Sequence, residues 1–155
     1  MPDTALVCTS GHVANWHSGT QTQLNVPFCE KCGKETISKC PKCQADIRGA
    51  PNRFNPAEST PPPSFCASCG APFPWTTARI LAAKELADLR DEIAEADKPI
   101  MKTTIDDLVG DTVRTPIGIT NFQRIMGKAG PVVRKLFVDC LAGIVSEAVA
   151  KALVR

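Results

Sequence analysis

The chain has 155 residues, 43% of them hydrophobic, and 18 Lys and Arg against 16 Asp and Glu give a formal net charge of +2. That balance lacks the strong basic excess with which a sequence-independent nucleic-acid binder holds phosphates. Residues 1–75 carry seven of the eight cysteines but few aliphatic side chains, so apolar burial alone cannot offset about 1–2 kcal/mol of backbone entropy per residue, and this segment needs staples.

The opening Met1-Pro-Asp-Thr-Ala-Leu-Val-Cys8 has neither the basic start nor the apolar run of a secretory leader. A cytoplasmic protein stapled by metal, not disulfides, is the expectation. Four ligand pairs follow in order: Cys8-x3-His12, Cys29-x2-Cys32, Cys40-x2-Cys43 and Cys66-x2-Cys69. A C-x2-C turn aims two sulfurs at one point, and Gly33 and Gly70 after the second and fourth pairs permit the positive φ that turns backbone amides toward the thiolates. Pro41 fixes one dihedral of the third turn. A redox use of C-x2-C would want a βαβ setting, which these short, proline-punctuated segments do not offer.

Four pairs make two complete tetrahedral sets, so two structural zinc ions are expected, with no position left for a catalytic water. His12 supplies the eighth ligand, whereas His17, beside Trp16, has no partner at metal spacing and reads as a surface or stacking residue. Spacing leaves the grouping open. Sequential ribbons would join the first pair to the second and the third to the fourth; a cross-brace would join first to third and second to fourth. A compact ribbon of the middle pairs closed by the outer ones is the third arrangement. With seven ligand thiolates outweighing two zinc dications, the formal positive charge falls below zero.

The run Phe28-Cys-Glu-Lys-Cys-Gly-Lys-Glu-Thr-Ile-Ser-Lys-Cys-Pro-Lys-Cys43, then Ile47-Arg48-Gly49 and Phe65-Cys-Ala-Ser-Cys-Gly-Ala-Pro-Phe-Pro-Trp-Thr76, resembles an uncharacterised bacterial zinc-ribbon family, domain of unknown function 2321. The resemblance extends to Cys8-x3-His12, Arg114-Thr115-Pro116 and Ser146-Glu147-Ala148. It implies the same eight ligands and no particular reaction.

Between Gly49 and Ser64 the proline-rich text favours extended polyproline geometry and reads as an exposed spacer, with a ligand for an aromatic groove as the alternative. After Trp75 the period becomes helical. Ala82, Leu86, Leu89, Ile93, Ala96 and Ile100 line one stripe of a helix beginning near Thr76 or Thr77 and limited by Pro99. Glu85, Asp88, Asp91, Glu92 and Glu95 form an acidic, solvated opposite face. A short helix around Ile105–Val109 follows, then Thr115 as N-cap with Pro116 at the first helical position, and Ile117, Ile119, Phe122, Ile125 and Met126 facing a core.

From Pro131 to Arg155 the pattern predicts one final helix, with Lys135, Asp139, Glu147, Lys151 and Arg155 on a single line through Gly143 and apolar residues around the rest. Asp139 and Glu147 would each cost about 2.5–3.5 kcal/mol in a bilayer, so no membrane span is expected. That breadth predicts an oligomer or partner interface centred on Phe137, Leu141, Ile144, Val145 and Val149. Cys140, without a C-x2-C partner, reads as a buried thiol.

The expected fold is a small metal-stabilised, β-rich double zinc ribbon in residues 1–75, followed by an α-helical interaction region in residues 76–155. The expected function is a non-enzymatic zinc-binding scaffold or adaptor working through a protein partner or homo-oligomer. The alternatives are a RING-like ubiquitin-transfer adaptor, which needs the cross-brace, and nucleic-acid binding through Lys31, Lys34, Lys39, Lys42 and Arg48. Glu30, Glu35 and Asp46 dilute that patch and disfavour the second alternative.

Overall fold

The structure, a computed structural model, describes residues 3–49 and 61–155. The proline-rich spacer lies, up to residue 60, outside the described residues. The chain divides into two compact units, Met1–Ala78 and Arg79–Arg155, each with its own apolar core.

The first unit is built on a three-stranded antiparallel sheet of order β2-β1-β3, formed by β1 (Leu6–Cys8), β2 (Val13–Asn15) and β3 (Thr36–Ile37). Strands of two or three residues make the unit less β-rich than its sequence implies; turns around the ligand pairs supply the remaining order. In the central strand Leu6, Val7 and Cys8 are all buried. Val7 stands opposite both Val13 and Ile37. The core joins Ala5, Val7 and Ile47 to Phe73 and Trp75, whose rings stack at 4.7 Å, and to the sulfurs of Cys40 and Cys66. The Trp75 indole N–H donates to the Pro63 carbonyl at 3.0 Å, which satisfies its one polar atom. Gly49 lies so near the Asp3 and Trp16 carbonyls that a Cβ there would sit 2.5 Å from the latter.

The second unit holds most of α1 (Pro74–Leu89) together with α2 (Lys98–Val109), α3 (Thr115–Ala129), α4 (Pro131–Leu141) and α5 (Glu147–Leu153). The helical period of α1 is as expected, but its inward face differs. Ala83 and Ala87 are fully buried, whereas Ala82 is exposed and Leu89 is 69% exposed. Pro99 does not limit α1, which has already ended; it sits in the first turn of α2, where its missing N–H costs nothing. Ile93 is buried in the connection, while Ala96 and Ile100 of the expected stripe are exposed.

Phe122, Ile125 and Met126 enter the core as expected, but Ile117 is exposed. Thr115 does not cap α3. Its hydroxyl accepts from the Thr112 amide at 2.9 Å and donates to the Gly110 carbonyl at 2.8 Å, fastening the α2–α3 turn. A Cβ at Gly118 would lie 2.9 Å from the Asp107 Cβ, so glycine lets α3 approach α2, and Arg114 grips Asp107 with two hydrogen bonds at 3.1 and 3.3 Å. On the acidic face, Asp88 pairs with Lys102, Glu92 with Arg90 and Glu95 with Lys98.

The single final helix is corrected to two. Gly143 adopts φ +85°, and the Ser146 hydroxyl caps α5 by accepting from the Val149 amide at 3.2 Å. The break lets α5 help cover the core. Phe137, Leu141, Ile144 and Val149, four of the five residues expected at an intermolecular interface, are buried inside the unit, and Val145 is half-buried. Among the described residues no helix is long and apolar enough to cross a membrane.

Candidate metal centres

Three of the four ligand pairs share one backbone device. In the second, the Cys29 amide donates to the Lys34 carbonyl and the Gly33 amide returns to the Cys29 carbonyl, each at 2.8 Å. Cys40 with Ala45 and Gln44, and Cys66 with Ala71 and Gly70, repeat the arrangement. The fifth residue of each turn needs a left-handed backbone: Gly33 and Gly70 have φ +75°, and Gln44 has φ +65°. The first pair is a variant, in which Cys8 bonds to the His12 carbonyl and Gly11, at φ +97°, bonds back to the Cys8 carbonyl.

Nothing lies within 4 Å of a Cβ built at Gly33 or Gly70, so only backbone strain opposes a side chain there. Gly33→Ala and Gly70→Ala should each cost about 1 kcal/mol. Gly11→Ala should cost more, because its Cβ would also meet the Trp75 Cβ at 3.0 Å. Denaturant titration of the metal-loaded variants measures the difference; equal losses at all three positions would contradict it.

These turns gather the eight side chains into two quartets, Cys8/His12/Cys29/Cys32 and Cys40/Cys43/Cys66/Cys69, each with its ligand atoms within 4.8 Å of one another. The grouping is the sequential one. In the first quartet the His12 Nδ1 lies 3.5 Å from the Cys8 Sγ and 3.6 Å from the Cys29 Sγ, and the sulfurs of Cys8 and Cys32 are 3.7 Å apart. In the second, Cys40 and Cys69 are 3.8 Å apart and Cys43 and Cys66 3.6 Å. With metal–sulfur bonds of about 2.3 Å and metal–nitrogen bonds of about 2.0–2.1 Å, a regular tetrahedron has edges of about 3.8 Å between sulfurs and about 3.6 Å from sulfur to nitrogen. The side chains thus fit a single tetrahedral ion in each quartet, whereas a disulfide would bring two sulfurs to about 2.05 Å.

Each quartet buries half of its ligands or nearly so. Cys8, Cys29, Cys40 and Cys66 are buried, His12 is half-buried, and Cys32, Cys43 and Cys69 are exposed. Backbone amides point at the sulfurs: His12 N to Cys8 at 3.2 Å, Lys31 N to Cys29 at 3.4 Å and Ser68 N to Cys66 at 3.4 Å. The Lys34 amide and then the Ser10 hydroxyl hold the Cys32 thiol down at about 6, and the Cys69 and Ser68 amides do the same for Cys66, also at about 6. Cys43 goes the other way. The Ala45 amide favours its thiolate, but desolvation and the sulfurs of Cys66, Cys69 and Cys40 outweigh that and push it up to about 11. Burial likewise raises Cys8. Clustered sulfurs without a counter-charge cannot all ionise, and a dication at the centre is what would let them.

His17 stands apart from both quartets, its Nδ1 3.6 Å from an Asp3 carboxylate oxygen, and Cys140 belongs to neither. Ser10 escaped the sequence reading, although its position between Cys8 and His12 was the available signal. Asn15 did too: it donates to the Gln21 carbonyl and Asn25 Oδ1 and accepts from the His17 amide, pinning the segment that joins the first two pairs.

No curated protein and no solved structure matches the chain. A family model does, over residues 1–153, described as an uncharacterized protein conserved in bacteria. The chain belongs to that bacterial family, DUF2321.

Proposed function

We propose that the protein is a non-enzymatic adaptor whose first unit is held by two structural zinc ions and whose helical unit meets a protein partner or a second copy of the chain. The observation that carries the zinc reading is the ligand geometry: two quartets whose ligand atoms all lie within 4.8 Å of one another, with five of the separations at 3.5–3.8 Å, each quartet offering four corners of a tetrahedron. Bound zinc would neutralise and cross-link these side chains. A full set of four protein ligands leaves no corner for a reacting water, which supports a structural role.

Protein extracted without added zinc should contain two zinc equivalents per chain by elemental analysis. One equivalent, or iron in place of zinc, would overturn this reading.

The RING-like alternative requires interleaved pairs and loses its basis in the sequential grouping. Nucleic-acid binding is also less well supported, because Lys39 is paired with Asp46 at 2.8 Å. For the partner surface, Val132 and Leu136 replace the buried residues named from sequence. They stand one turn apart on α4 and are 70% and 38% exposed. If a second copy is the partner, the wild-type chain should sediment as a dimer at micromolar concentration, and the double variant Val132→Asp, Leu136→Asp as a monomer. A wild-type mass that stays monomeric at every dilution would remove self-association and leave only a different protein as partner.

A further inference from the structure

We propose that the second quartet is a modification site for two-electron oxidants of the peroxide class, which react with the exposed sulfurs of Cys43 and Cys69 and convert the quartet into two disulfides, Cys43–Cys66 and Cys40–Cys69. The first quartet keeps its ion under the same conditions. The inference rests on the reading of both quartets as zinc centres.

Two differences between the quartets carry it. The first exposes one sulfur, Cys32, whereas the second exposes two, Cys43 and Cys69. Charge separates them further: a dication held by four thiolates leaves that centre doubly negative, while His12 leaves the first singly negative, so the second is the more electron-rich toward an electrophile.

The products follow from the nearest sulfurs. Cys43 faces Cys66 at 3.6 Å and Cys69 faces Cys40 at 3.8 Å, each an exposed sulfur beside a buried one from the other turn, and each gap must close by less than about 2 Å to form a bond. An exposed thiolate attacks one peroxide oxygen, the O–O bond breaks, and a sulfenic acid forms as hydroxide leaves. The buried partner then attacks that sulfur and expels a second hydroxide. Two thiolates, one peroxide and two protons thus give one disulfide and two waters, and a second round consumes the remaining pair. The first quartet offers one such pair, Cys32 and Cys8 at 3.7 Å, and no second, because His12 stands where Cys29 would need a sulfur; its slower reaction therefore rests on its single exposed sulfur and lower negative charge.

The test uses the full reduced chain, with zinc content measured first and hydrogen peroxide then added in the presence of a chromogenic zinc chelator. One equivalent should be released about tenfold faster than the other. Alkylation and peptide mass mapping at that point should find Cys43 joined to Cys66 and Cys40 to Cys69, with Cys8, Cys29 and Cys32 still reactive after acid denaturation. His12→Cys, which gives the first quartet four sulfurs, should speed release of the slower equivalent. A starting content other than two zinc ions would overturn the zinc reading itself. With two ions present, parallel release, earlier loss from the first quartet, or bridges within a C-x2-C turn would overturn the selectivity inferred here, and an unaltered His12→Cys rate would overturn its electrostatic basis.

Discussion

Replacing Cys29 or Cys66 by Ser should take the metal content from two ions to one and unfold the first unit, while the helices persist. Both sulfurs are buried, at 7% and 5% exposure, and Cys66 also packs in the apolar core of that unit. Structural zinc binding contributes about 10–16 kcal/mol of apparent free energy in small metal-dependent folds, far more than sheet strands of two or three residues provide. The core of the helical unit is drawn from residues 83–153 and includes none of these ligands. Far-ultraviolet circular dichroism should therefore keep its helical signal while resolved amide resonances from the first unit are lost. A serine variant that retained two ions and the wild-type spectrum would sink the idea that metal holds this unit together.

Ile144→Asp should act on the other unit. Ile144 is 2% exposed, at the break between α4 and α5 and within the same cluster as Leu141 and Val149. A carboxylate there loses apolar contacts and is buried without a partner, so destabilisation upward of about 4 kcal/mol is expected. Zinc content should stay at two. Lys151→Ala should have little effect, since Lys151 is exposed and its pairing with Glu147 at 3.0 Å lies on the surface. Thermal melting monitored by helicity separates the outcomes. A well-folded Ile144→Asp chain that had merely changed its oligomeric state would mean that this residue lies at an intermolecular surface after all.

The second prediction exists because the sequence was misread there. Apolar continuity from Val132 to Val149 outweighed two local signals, Gly143 and the Ser146-Glu147 start, that together end one helix and begin another. The break matters because it supplies an extra element, whose Val149 and Leu153 join the same core as Phe137 and Leu141. In α1 the error had a different source. Weighting large residues placed Leu89 inward, whereas the small Ala83 and Ala87 form the buried face and Leu81 and Leu89 point outward. Periodicity was legible, but its phase depends on what packs against the helix, which no local pattern contains.

The ligand set was easier to read because its spacing is local: sulfurs two residues apart converge whatever surrounds them. Their grouping into quartets depends on chain paths between the turns, set by contacts such as the Asn15 hydrogen bonds and the approach of Gly49 to Asp3 and Trp16. Gln44 was missed although it occupies the place held by Gly33 and Gly70 in the sister turns; comparing the turns residue by residue would have marked it.

The sequential grouping also fixes an order of assembly during synthesis. All ligands of the first quartet lie within residues 8–32, and those of the second within residues 40–69. A nascent chain can close the first knot while the second set is still untranslated, each closure spanning a short loop. Interleaved pairs would have made the first knot wait for Cys43. The apolar core of the unit needs Phe73 and Trp75, so a first knot closed by zinc as proposed would form before its hydrophobic support has emerged. On the zinc reading, supply of the ion at the ribosome, ahead of folding, would then decide whether the first unit starts on its native path.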